Sequence, residues 1–249
     1  MKVVSVRDLS LIDIGNKYIV ISVDSFGGIG PKEHDVVRFP PEEWAIALLR
    51  VPLMEVIATG ARPILVIDAL GVEYEPTGKM VIDALKRELA RIGYPDMPMN
   101  GSTEDNIPVS SSAAGIVVLG EVEKERFYPG SSHIGDNLFV VGIPKSGPNE
   151  EVDLKNDPEI PDILDLMKFR EMEGVHDILP VGSHGILYEA QELAKSAHLK
   201  LFLSPDVSVD IKKSAGPSTC FLISTSLEIE KIKKVTGAPI NKIGELLGG

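Results

Sequence analysis

Residues 100–122, NGSTEDNIPVSSSAAGIVVLGEV, run from a polar, acidic turn through a Ser/Ala tract into an apolar, β-branched strand. The turn sets Ser102, Thr103, Glu104, Asp105 and Asn106 directly after Gly101, which is more oxygen ligands than a surface loop needs. Read alone, the segment is an ordinary loop with a capping hydroxyl. Its neighbours decide whether it is instead part of a ligand-binding wall.

Working outward, KYIVISVD (17–24) is short, β-branched and followed by glycines, which predicts a buried strand and then a turn-rich loop, SFGGIGPKEHD. PPEEWAIALLRVPLMEVIATG (40–60) opens with proline and acids and continues apolar almost all round, as a buried helix does. Pro52 is expected to kink or divide it. RPILVIDALGVE (62–73) reads as a strand, and GKMVIDALKRELARIG (78–93) as an amphipathic helix.

After a polar boundary, NLFVVGIP (137–144) begins a second set of elements. They are a helix from Ile163 to Glu173, HDILPVGSHGILYEAQELAKSA, LKLFLS, STCFLISTS, a short helix and a terminal INKIGEL. Strands and helices mix without strict β–α alternation. This predicts an α+β protein of two units, 1–125 and 126–249. Nothing recurs at a fixed period.

The 249 residues carry a net charge of −12 and no cluster of Lys and Arg, which argues against a nucleic-acid partner. An acidic fold binds a phosphorylated ligand when a divalent cation stands between the two. Cys220 is the single cysteine and lies in an apolar run, so no intrachain disulfide forms, as expected of a cytoplasmic protein. The N-terminus has no apolar core flanked by basic residues, and no apolar run reaches the roughly 18 residues of a membrane span. Neither a signal peptide nor a membrane partner is expected.

Three places carry possible chemistry. Asp24 ends a strand and precedes Gly27, Gly28 and Gly30, with Lys32 close behind. Glycine amides approach phosphate oxygens closely, and a strand-end carboxylate is a common Mg²⁺ ligand. The spacing fits neither a Walker A loop nor a dinucleotide fingerprint, and a plain tight turn fits the glycines as well. Glu55 sits in an almost wholly apolar helix, where a carboxylate needs a metal or a salt bridge, for instance to Arg50 or Arg62. In HDILPVGSHGIL, His176 and Asp177 precede a Gly/Ser turn that opens a helix; it either offers amides to an anion or is capped by Ser183. No zinc-type Cys/His pattern and no G-x-S-x-G elbow occurs.

An acid-ended strand with a Gly loop, ATGARP, the G-S-T-E-D turn and a later HD…G motif, in this order, resemble the aminoimidazole-ribonucleotide synthetase (PurM-like) superfamily. The resemblance spans most of the chain. It implies an N-terminal α+β unit whose sheet completes a barrel across a homodimer interface, with ATP and Mg²⁺ bound along it for phosphoryl transfer. On that basis Asp24 matches the family's strand-end metal ligand, and Asp8 lies near a further acidic motif. Glu55 replaces an Asp, Ser102 replaces an acid with Glu104 and Asp105 following, and Asp177 matches an Asp of the second unit.

The implied metal ligands are therefore Asp8, Asp24, Glu55, Glu104 and Asp105. Gly27, Gly28, Lys32, Gly101, Ser102 and Thr103 would hold the nucleotide. Asp177 or His176 would orient or deprotonate a small-molecule acceptor. The chain lacks the N-terminal cysteine of selenophosphate synthetases and the C-terminal cysteine of the hydrogenase-maturation enzymes, and is shorter than aminoimidazole-ribonucleotide synthetase. It most resembles the α-ribazole kinase branch, of cobalamin salvage. Alternatives are thiamine-monophosphate kinase, an aminoimidazole-ribonucleotide synthetase-like enzyme, or a non-catalytic dimeric scaffold, which the loss of an acid at Ser102 favours.

Overall fold

The computed structural model describes residues 2–147 and 150–248. The N-terminal stretch, for which the sequence analysis gives no element, forms a hairpin, β1 (Lys2–Val6) and β2 (Leu9–Asp13), joined by the two-residue turn Arg7–Asp8. Arg7 takes a positive φ of 54°, which a two-residue hairpin turn demands. Next come β3 (Lys17–Gly27), a short parallel ladder of β4 (Ile29–Gly30) and β5 (Val37–Arg38), and α1 (Pro41–Ala58). β6 (Arg62–Leu70), α2 (Lys79–Arg91), β7 (Met99–Thr103) and β8 (Ala113–Glu123) complete this part. The strands form one sheet in the order β1-β2-β3-β8-β6-β7, antiparallel except for β6 with β7.

The second part holds β9 (Asn137–Val141), α3 (Ile163–Arg170), β10 (Val175–Pro180), α4 (Gly185–Ser196) and β11 (Lys200–Leu203). It ends with β12 (Phe221–Thr225), α5 (Ile229–Ile232) and β13 (Ile240–Leu247). Its antiparallel sheet runs β10-β12-β9-β13-β11.

Helix α1 stands between the two sheets, against β3 and β8 on one side and against α3 and β10 on the other. Trp44, Leu48, Leu49, Leu53, Met54 and Val56 are buried along it, which explains why the stretch is apolar all round. Each such side chain contributes about 1.5–3 kcal/mol. That packing exceeds the roughly 3 kcal/mol penalty of an internal proline, and Pro52 does not divide the helix, which runs as one element from Pro41 to Ala58. Gly120 permits the close approach: a Cβ there would lie 2.5 Å from Val56 Cγ1. One core extends from Val20, Ile116 and Val118 of the first sheet to Phe139, Phe221 and Ile223 of the second. No helix among the described residues is long and apolar enough to cross a membrane. Cys220 is buried, and burial pushes its thiol pKa up, as expected of an inert thiol.

Candidate functional site

The alternation of β3 turns Val20, Ser22 and Asp24 toward α1, one turn of which presents Glu55. The β1–β2 turn brings Asp8 to the same place, and α4 brings Glu189 from the second part. Asp8, Asp24, Glu55 and Glu189 line one cavity of about 350 Å³, together with His184 and Tyr188. Glu55 accepts a hydrogen bond from the Ser22 hydroxyl. Its partner is neither of the arginines the sequence offers: Arg50 donates to the Ser218 and Pro161 carbonyls at 3.1 and 2.7 Å, and Arg62 bonds Glu121 at 3.0 Å.

Burial, followed by the charges of Asp8 and Asp24, pushes Glu55 up to about 8. Burial and then the charge of Asp8 push Glu189 up to about 7. Asp24 is raised by burial as well. Facing carboxylates that resist ionisation side by side are the condition a divalent cation relieves, and an all-oxygen donor set suits Mg²⁺. Glu189 had no signal in the sequence, because LYEAQELAKSA reads as an amphipathic helix whose acids face solvent.

On the other side of Asp24 lies a second cavity of about 350 Å³, apolar along Phe26, Ile29, Val37 and Phe39, with Ser146 and Gly216 opposite. Both cavities reach Gly182 and Ser183. Ser183 does not cap α4: the N-cap position is His184 and carries no side-chain cap, so the turn faces the cleft. Ser25 and Phe26 continue from the second cavity into a more open groove of about 470 Å³, lined also by Gly71, Ser102, Thr103 and Glu104. Four consecutive residues, Val23 to Phe26, thus line a continuous series of depressions.

Other expected site residues have hydrogen-bond or ion-pair partners within the protein. Asp105 accepts from the Tyr74 amide at 2.9 Å and the Thr103 hydroxyl at 2.6 Å, and Glu104 accepts from the Asn106 amide at 2.8 Å. Neither lines the cavity of Glu55, and these bonds give the turn the structural reason for its oxygens. Gly101 makes room for Asp68, whose carboxylate would lie within 2.4 Å of a Cβ there. Gly27 pairs with Ala113, the Gly28 amide bonds the Ser112 carbonyl at 2.9 Å, and Lys32 is ion-paired with Glu73 at 2.5 Å. The loop is instead pinned to the Ser tract by Asp35, which accepts from the Lys32 and Ser112 amides and the Ser111 and Ser112 hydroxyls at 2.6–3.0 Å.

Asp177 is wholly buried in an ion pair with Arg7, and His176 bonds Asp136 at 2.8 Å. Neither lines the cleft. Ser183, His184 and Glu189 line that cleft, where Asp177 and His176 were expected.

The sequence matches no family model and no curated protein. Solved structures do match. Thiamine-monophosphate kinase from Stenotrophomonas maltophilia aligns at a TM-score of 0.64 and 16% identity, over 98% of this chain and 87% of that one. The enzyme of the same name from Aquifex aeolicus aligns at 0.61 and 15%, over 97% and 89%. Phosphoribosylformylglycinamidine synthase II from Thermotoga maritima aligns at 0.66 and 15%, over 99% of this chain but 42% of that larger one. These likenesses establish that the chain has the α+β fold of PurM-like proteins.

Proposed function

We propose that this protein is an ATP-dependent phosphotransferase acting on a small molecule, with Mg²⁺ held by Asp8, Asp24 and Glu55. The observation that carries the reading is the convergence of those three carboxylates, from three separate elements, on one cleft that also receives Glu189. Further support comes from neighbours of the same fold: a thiamine-monophosphate kinase complexed with AMPPCP and TMP, and T. maritima PurL complexed with ATP.

Bound Mg²⁺ would supply the positive charge that lets an acidic protein hold a polyphosphate and offsets charge developing in the transition state. Asp24 and Glu55 would stay ionised to hold it, with the Ser22 hydroxyl orienting Glu55. The start of α4, with Ser183, directs amides toward a phosphate. The apolar cavity of Phe26, Ile29, Val37 and Phe39 suits a planar ring next to that polar end. Glu189, raised to about 7, is matched to taking a proton from an acceptor hydroxyl near neutral pH. The pattern of motifs makes α-ribazole the first acceptor to try and thiamine monophosphate the second. A homodimer through the first sheet is part of this reading, supported by Val23, 65% exposed on the face of β3 turned away from α1.

The test is thermal unfolding with ATP, with Mg²⁺ and with both, followed by turnover of the two acceptors. A stabilisation that needs both ligands, about 2.7 kcal/mol at a hundredfold excess over Kd, is expected. It should fall to about half in Asp24→Asn and in Glu55→Gln, as a tenfold loss of affinity implies. No stabilisation in any combination, or unchanged ATP turnover in both variants, sinks the reading.

A further inference from the structure

His176 is the extra residue of a β-bulge: pairing with β12 passes from Val175 opposite Thr225 to Asp177 opposite Ser224. A bulge of this kind re-aims a side chain. Here it directs the imidazole at Asp136, whose carboxylate oxygens lie 2.8 and 3.0 Å from His176 Nδ1. The His133 ring completes the group, its centroid 4.1 Å from that of His176 and tilted by 47°. One donor atom from each of His133, Asp136 and His176 falls within 4.8 Å of the others.

Asp136 is 2% exposed, and its ionic contact among the described residues is with the His176 imidazole, with no lysine or arginine. Buried carboxylates are ordinarily paired with a cation or ligate one. Its Oδ2 accepts from the Ser224 hydroxyl at 2.7 Å and the His133 amide at 2.8 Å, the outer-shell support that orients a ligating carboxylate. His133 is exposed, which leaves the group open on one side.

We infer that His133, Asp136 and His176 form a binding site for a divalent transition metal of the Zn²⁺ type, separate from the carboxylate cleft. Two imidazoles and one carboxylate are the donors such an ion prefers over Mg²⁺, and three protein ligands leave a fourth position for water. None of the three residues lines the cleft cavities. The ion would fasten the turn carrying His133 and Asp136 to the bulge of β10. That same bulge presents Asp177 to Arg7, the neighbour of Asp8. The site is therefore structural in its position, bracing the contact that sets the hairpin turn.

The test is titration of the chelator-stripped full chain with Co²⁺, read by visible ligand-field absorption, and then displacement by Zn²⁺. The expected result is one equivalent of tetrahedral Co²⁺, displaced by Zn²⁺. Affinity should fall at least about tenfold in His133→Ala, whose exposed side chain leaves folding intact, and likewise in His176→Gln. The Asp24→Asn/Glu55→Gln double variant should bind Co²⁺ at this site unchanged. Absence of tetrahedral Co²⁺, or binding that survives His133→Ala and is lost in the cleft variant, overturns the inference. Because the cleft variant separates the two sites, failure here leaves the proposed function untouched.

Discussion

Arg7, at the tip of the first hairpin, and Asp177, on the bulged strand β10, form a buried ion pair that ties one sheet to the other across 170 residues of chain. Asp177 also accepts from the Gly130 amide at 2.9 Å, and Arg7 donates to the Ser196 hydroxyl at 2.9 Å. Truncating one partner leaves the other charge buried and uncompensated. Arg7→Ala should therefore lower stability by about 3–5 kcal/mol in urea unfolding. The Arg7→Ala/Asp177→Ala double variant should lose less than the sum of the two singles. Additive losses would show that the pair is not coupled.

Glu55 predicts a pH dependence. Its folded pKa, pushed up to about 8, lies above the ordinary 4.5, so between those values the folded state binds more protons than the unfolded one. Stability contributed this way is full below pH 4.5 and is lost as pH rises through 8. Melting temperature should fall over this window, and Glu55→Gln should flatten the fall. Glu189, raised to about 7, keeps a residual slope in the variant. An identical slope in wild type and variant would refute the assignment.

If the proposed function holds, the same carboxylates couple cation binding to protons. Mg²⁺ takes the ionised forms, so its affinity should rise from pH 6 to about 8 with release of protons. Calorimetry in two buffers of different ionisation enthalpy measures that release. Asp24→Asn should weaken Mg²⁺ by about tenfold, or about 1.4 kcal/mol. A pH-independent affinity would place the ion elsewhere.

Lys32 is held by Glu73 at 2.5 Å, with both side chains partly exposed. Lys32→Ala should cost under about 1 kcal/mol of stability and leave nucleotide affinity unchanged. A tenfold loss of nucleotide affinity would mean that the lysine leaves Glu73 for the phosphates.

Much of this was legible from local pattern. β-branched runs and glycine stops located most of the strands, and the all-apolar stretch 40–60 located α1, because helical and strand periodicity are properties of neighbouring residues. The hairpin was legible in principle, since VVSV and LSLID flank a two-residue turn. The order of motifs led to the fold, and Asp8, Asp24 and Glu55 came from the same motifs.

Local pattern carries most of the elements, the fold they build and the residue types available for chemistry. Which acids meet is set by packing between distant segments. Glu189 reaches the cleft because α4 packs across it, while Asp105 and Lys32 are turned to partners 31 and 41 residues away. Asp177 is neutralised by Arg7, and His176 is turned to Asp136 by a bulge defined by its partner strand. The physical reason is that a carboxylate's role follows from its partners and its burial. Both are set by contacts between residues far apart in the chain, and no local pattern records them.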